Sequence, residues 1–232
     1  MKNTMIKPKK ASTRSFWFWS LGAVIIGTLI GICFLLWYTP KAYKSAEVAN
    51  TEQTSVYLTH ELGPDFFNNI QQDKPFELII PQDELNNIFT QEFGTETFGD
   101  ASLSTPHVIF SDRSILLMVT LTYNEVSSVL SINALPVIDN EGKIDLNIQF
   151  IRLGMLPVET LVTKLAQKAF DESRSCFEDD PKAAENIQAI IHKKPFDPIF
   201  QFSIENLQYQ VRITDFHITQ GSLKLTLQSK VS

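Results

Sequence analysis

The chain has 232 residues, 44% hydrophobic and 20% charged, with 20 Lys and Arg against 26 Asp and Glu and a net charge of −6. An acidic balance disfavours a counterion-driven grip on nucleic acid, and no nucleic-acid partner is expected. Two cysteines cannot supply a disulfide framework, so any folded domain must be held by its core.

Residues 1–15 form a basic tail with Lys2, Lys7, Lys9, Lys10 and Arg14 and no acidic residue. Residues 16–38 then read FWFWSLGAVIIGTLIGICFLLWY without a charge. As a helix this run would rise about 34 Å, against a hydrocarbon core of about 30 Å. Trp17 and Trp19 at one end and Trp37 and Tyr38 at the other suit the two membrane interfaces. The pattern predicts a single transmembrane helix acting as a signal-anchor in the cell membrane. The basic flank puts the tail in the cytoplasm and the C-terminal domain outside it. A cleaved signal peptide fits less well. Its apolar region is usually about 7–15 residues, and Ala46 and Ala49 have the wrong spacing for a cleavage site. Cys33 follows Ile32 rather than a small residue, so it reads as a helix residue and not as a lipid attachment point. Beyond residue 40 the chain holds 15 basic against 26 acidic residues, net −11. Cys176 is the one cysteine there, so no intrachain disulfide can form.

Residues 39–74 are expected to be a juxtamembrane spacer. Val56, Leu58, Leu62, Phe66, Phe67 and Ile70 recur at loosely helical intervals, broken by Gly63-Pro64 into two short helices or a helix and a turn. Residues 75–232 read as one extracytoplasmic α+β domain. Phe76, Leu78 and Ile80 predict a strand. Residues 82–93 predict a helix, with Leu85, Ile88 and Phe89 on one face and Asp83 and Glu84 at its positive end. Residues 95–106 are rich in Gly, Ser and Thr and are expected to be loop. Period-two patterning then predicts strands at 108–110, 115–123, 126–137 and 143–153. Asp139-Asn140-Glu141-Gly142 is a hairpin turn, and a phase slip predicts a bulge near residue 150.

Gly154-Met155-Leu156-Pro157 is expected to open a helix, with Pro157 in its first turn. Val158, Leu161, Val162, Leu165, Ala166, Ala169 and Phe170 form its apolar stripe, expected to face the core. Residues 171–185 are acidic and irregular, 186–192 form a short helix, and the rest is strand with a hairpin at Gln220-Gly221. The predicted fold class is α+β: an N-terminal transmembrane helix, then one ectodomain with a curved antiparallel β-sheet packed on amphipathic helices.

Chemistry is sparse. His60, His107, His192 and His217 show no metal-ligand spacing, and no nucleophile elbow or phosphate-binding loop is present. Glu178-Asp179-Asp180 lacks the alternating ligands of a calcium loop. No catalytic, cofactor-binding or metal-ligating residue is expected, and the protein reads as non-enzymatic.

The run Ile80-Pro81-Gln82-Asp83-Glu84-Leu85-Asn86-Asn87-Ile88 resembles a strand followed by a Gln-x-x-Leu-Asn helix opening. The segments Leu135 to Leu146 and Leu153 to Pro157 resemble a Pro–Asp–Gly hairpin and a Leu-Gly-x-Leu-Pro helix start. With one N-terminal span, these resemble the YpmS-like proteins, small membrane-anchored extracytoplasmic proteins of Gram-positive bacteria. The resemblance implies architecture and location, and no catalytic residue.

Two functions are expected. The first is binding of a lipid or other apolar envelope molecule. Its motive is a sheet apolar on both faces around residues 115–118, curling over a striped helix. In architecture alone this resembles the curved sheets of tubular lipid-binding proteins. The candidate apolar groove is Leu116, Met118, Leu153, Met155, Val158, Leu161, Val162 and Leu165. The alternative is a protein-interaction or scaffold module in cell-envelope assembly or secretion, with an envelope protein as partner.

Overall fold

The computed structural model describes residues 13–40, 43, 55–72, 74–98, 100–177, 181–204 and 207–231. The expected basic tail falls outside them apart from 13–15, as do Ala46, Ala49 and the run Glu178-Asp179-Asp180. Helix α1 is Thr13–Leu36. A π-helical turn, Leu58–Leu62, leads without interruption into α2, Gly63–Ile70. Then follow β1 (Pro75–Pro81), α3 (Gln82–Glu92), β2 (Glu96–Phe98), β3 (Ala101–Leu103), β4 (His107–Ser111), β5 (Ser114–Tyr123) and β6 (Val126–Ala134). After these come β7 (Val137–Ile138), β8 (Ile144–Asp145), β9 (Ile148–Leu153), β10 (Leu156–Pro157), α4 (Glu159–Glu172), a 3₁₀ turn at Arg174–Phe177 and α5 (Pro181–Ile191). Strands β11 (Ile199–Ile204), β12 (Leu207–Thr219) and β13 (Ser222–Val231) close the chain.

The α+β class holds, with two main antiparallel sheets in place of the one expected. The smaller has the order β1-β13-β12-β11; the larger runs β10-β9-β6-β5-β3-β2, with β4 also on β5. Strands β3 and β4 lie end to end along one edge of β5. A two-stranded hairpin, β7-β8, stands apart.

Several boundaries differ from expectation. The Gly- and Ser-rich segment 95–106 forms the β2-β3 hairpin, because pairing with β5 supplies the order that its composition does not. The strand expected over 126–137 breaks at Leu135-Pro136, where proline cannot donate to the ladder. The strand expected over 143–153 breaks at Asn147, whose φ is 42°. The expected bulge is present: Asn133 faces Phe150 and Ala134 faces Ile148, leaving Gln149 extra. Gly154, with φ 60°, turns β9 back into β10. Residues 154–157 are therefore a hairpin, and the helix starts after Val158.

The four-stranded sheet packs one face on α2, where Ile70, Tyr209, Val211 and Leu227 are buried together with Phe66 and Phe76 against them. Ser229 donates from its hydroxyl to Ile70 O at 2.8 Å and Gln72 O at 3.1 Å, closing the carbonyl end of α2. A bulge at Thr214 shifts the phase of β12. Its second half thereby turns Ile218 into a separate core with Val108 and Phe110, roofed by Leu85 and Phe89 of α3. Residues 63–70, expected in the spacer, are thus part of the packed domain.

Candidate functional site

The eight residues of the expected groove do not share one surface. Across β5, β6 and β9, Met118 pairs Ser131 and Ser131 pairs Arg152, while Val119 pairs Leu130 and Leu130 pairs Leu153. Successive residues of a strand point to opposite faces. Leu116 and Met118 therefore lie on one face and Leu153 on the other. Met118 has no exposed surface, so it is core. Leu153, Val158 and Val162 are half-buried. Met155, Leu161 and Leu165 remain exposed, at 49%, 55% and 55%.

The reason lies in the rotation of α4. The inward side of the helix carries Val162, Thr163, Ala166, Gln167 and Phe170, roughly a quarter-turn from the centre of the apolar stripe. The stripe expected to face the core therefore faces it only in part. Gln167 Oε1 is buried without a hydrogen-bond partner.

The C-terminal end of α1 is built into the larger sheet. Leu35 O accepts from Met155 N–H at 2.9 Å, and Leu36 O accepts from the Ser128 hydroxyl at 2.6 Å. These carbonyls belong to the last helical turn, which has no partner within the helix. Gly154 makes the approach possible: a Cβ there would stand 2.2 Å from Leu35 O and 2.8 Å from Leu36 O. Downstream, the Tyr43 hydroxyl meets Thr120 Oγ1 at 2.7 Å and Ser104 Oγ at 3.2 Å, and its ring stands edge-on to His107. The segment after the helix, expected to be a spacer, is fastened to the sheet at its start. Among the described residues no helix is long and apolar enough to cross a membrane. The side chains of α1 are described only from Val24 onward, Cys33 excepted, which falls short of the ~20 residues a bilayer requires.

A cleft of about 410 Å³ opens on the outer face of the four-stranded sheet, lined by Ile199, Gln210, Arg212, Gln228, Ser229 and Lys230. Arg212 reaches Asp197 at 2.6 Å, and Lys182 stands 3.9 Å from the same carboxylate. The β7-β8 turn closes over this pair, with Gly142 so near that a Cβ would lie 3.3 Å from Arg212 Nη1. In that hairpin the Glu141 carboxylate accepts a hydrogen bond from Lys143 and raises its pKa. Sequence patterning does little to mark the cleft. The alternation of Gln210 and Arg212 with Tyr209 and Val211 was its one available sign.

Tyr57 has its pKa raised above 10.0, first by burial and then by the carboxylates of Glu61, Glu84 and Asp65. Its hydroxyl donates to Ile79 O at 3.0 Å. Among the described residues no three His, Cys, Asp or Glu side chains converge as a metal site would require. No protein-family model, no curated protein and no solved structure matches the chain.

Proposed function

We propose that the chain is a single-span membrane protein whose α+β domain stands outside the cytoplasm and acts as a non-enzymatic binding module of the cell envelope. The observation that carries this reading is α1, 24 residues long with no charge after Arg14. Taken with residues 13–23, whose side chains lie outside the described set, such a helix rises about 36 Å, comparable with a hydrocarbon core of about 30 Å. The basic residues ahead of it favour a cytoplasmic N-terminus. The YpmS-like resemblance of residues 80–88, 135–146 and 153–157 supports the same architecture.

Within this reading a protein or other polar envelope partner is favoured over an enclosed lipid. The outer face of the four-stranded sheet is polar and open, and its cleft carries Arg212 and Lys230. An apolar groove has less support, because its expected walls lie on opposite faces of the sheet. The interaction or scaffold module therefore ranks first, and binding of a lipid or other apolar molecule second.

The test uses the full chain in the membrane, with photocrosslinking residues placed at Gln210 and Lys230. The expected outcome is a discrete crosslinked envelope protein, with native mass spectrometry from nanodiscs finding no lipid of fixed mass retained. A lipid kept in one-to-one ratio would put the apolar-ligand reading first. An alkaline phosphatase fused after Ser232 should be active; an inactive fusion paired with an active cytoplasmic reporter would overturn the topology.

A further inference from the structure

We infer that the domain rests on the bilayer, with Met155 and the Leu161–Leu165 face of α4 lying in the lipid interface. The inference rests on the reading of α1 as a membrane anchor, and it names the occupant of an apolar face that the fold leaves uncovered. Three observations lead to it.

The first is depth. Met155 N–H bonds to Leu35 O, a carbonyl of the last turn of α1. Met155 therefore stands level with the end of the anchor at Leu35, two residues before Trp37, which is 69% exposed. An aromatic ring at that level marks the interface between hydrocarbon and water. The β9-β10 turn is hydrogen-bonded directly to the helix end, so Met155 lies at the depth of the last turn of α1.

The second is continuity. Strand β10 follows Met155 directly, and Val158 N–H returns to Ile151 O at 3.0 Å, so α4 begins within a few residues of that level. Leu161 lies in its first turn and Leu165 one turn on, and both are exposed.

The third is composition. Lys164 and Lys168 lie along one side of the two leucines on the exposed surface of α4, which also carries Glu159, Asp171 and Glu172. Lys168 also stands 3.7 Å from Glu172. On the proposed placement the lysine stems would lie along the apolar edge with their ammonium groups at head-group level, and Lys168 would offset Glu172, so the apolar contact of the leucines carries the interaction. Water alone would favour turning the leucines inward. The observed rotation instead buries Gln167 Oε1 without a partner. A lipid surface on the outer side accounts for that choice.

The test uses full-length protein in vesicles of phosphatidylcholine and phosphatidylglycerol, with both native cysteines replaced by serine. An environment-sensitive fluorophore is attached at a single cysteine replacing Met155, Leu161, Leu165, Ile79 or Ile30, and quenched by lipids spin-labelled near the head group or deep in the chain. Shallow quenching several-fold stronger at 155, 161 and 165 than at 79, with blue-shifted emission, is expected. The Leu161→Gln, Leu165→Gln double variant keeps exposed positions polar and should fold. It should lose the shallow quenching read from position 155 in part. Labels at 161 and 165 as water-exposed as the label at 79, while the label at 30 is quenched from deep in the chain, would overturn this inference and leave the anchor intact. A label at 30 that no lipid quenches would overturn the anchor itself.

Discussion

Gln82 and Asn86 stand four residues apart on one face of α3 and do for the free edge of β4 what a neighbouring strand would do. The Asn86 amide donates to Val108 O at 2.8 Å and accepts from Val108 N–H at 2.7 Å, while Gln82 Oε1 accepts from Phe110 N–H at 2.8 Å. Buried main-chain groups must be paired, and here side chains pair them. Asn86→Ala should cost about 1–3 kcal/mol in chemical denaturation, since it strands two main-chain groups at once. The Gln-x-x-x-Asn spacing was visible in the sequence, but its use was not, because nothing local says that a strand edge will pass that face. Tyr57 offers a second test. Its pKa is raised in the folded state, so the unfolded chain ionises first as pH climbs past 10.0. Stability from this group is fully present below that value and is lost above it. The melting temperature of the wild type should therefore fall more steeply at alkaline pH than that of Tyr57→Phe. The variant should also lose about 0.5–1.5 kcal/mol at neutral pH with the bond to Ile79 O.

Among elements, long alternating strands were legible and short or partnered ones were not. Leu223 to Leu227 announce their face over several residues, and Ile115 to Tyr123 announce a strand, though one apolar on both faces around Met118. By contrast β2, β3 and β10 have two or three residues each, too few for a period to show. The phase change of β12 from Ile213 to Phe216 was present in the sequence as well, and marks the bulge at Thr214. Helix α2 misled differently: its Gly63-Pro64 looks like a break, yet the π turn ahead of it carries the helix through, with Gly63 against Leu58 O. Ile70 is fully buried at its end. Ile70→Ala should destabilise by about 2–5 kcal/mol through the cavity it leaves. Proteolysis should find a chain beginning at residue 75 unfolded and one beginning at residue 55 folded; equal protection would return residues 55–72 to a spacer. For α4 the sequence shows the stripe but not which part of it turns to the sheet: Val162, Ala166 and Phe170 do, Leu161 and Leu165 do not. Burying two leucines is worth about 1.5–3 kcal/mol each, so their exposure reflects a constraint outside the helix that its sequence cannot report.

At the scale of the molecule, the two sheets meet where Gln82 N–H donates to Gly221 O at 2.9 Å and Gly221 N–H donates to Phe110 O at 3.1 Å. The tip of the β12-β13 hairpin, the start of α3 and the edge of β4 thus share one node. Gly154 is the counterpart at the other joint, between the larger sheet and α1. Gly154→Val forces both a strained φ and a collision with Leu35 O. Spin labels at Ile30 and Ile79 should give a narrow distance distribution in the wild type and a broad one in this variant; two equally broad distributions would mean the joint is loose already.

That joint has a mechanical consequence. A domain hydrogen-bonded to its helix end through Leu35 and Leu36, with Tyr43 held on the same sheet, is restrained from swivelling about that helix. Single helices lean by about 20° in bilayers and lean further where the hydrocarbon is thin. On the proposed reading of α1 as a membrane anchor, a lean of α1 would be passed to the sheet it is bonded to, so the thickness of the membrane would set the angle at which the Arg212 cleft is presented.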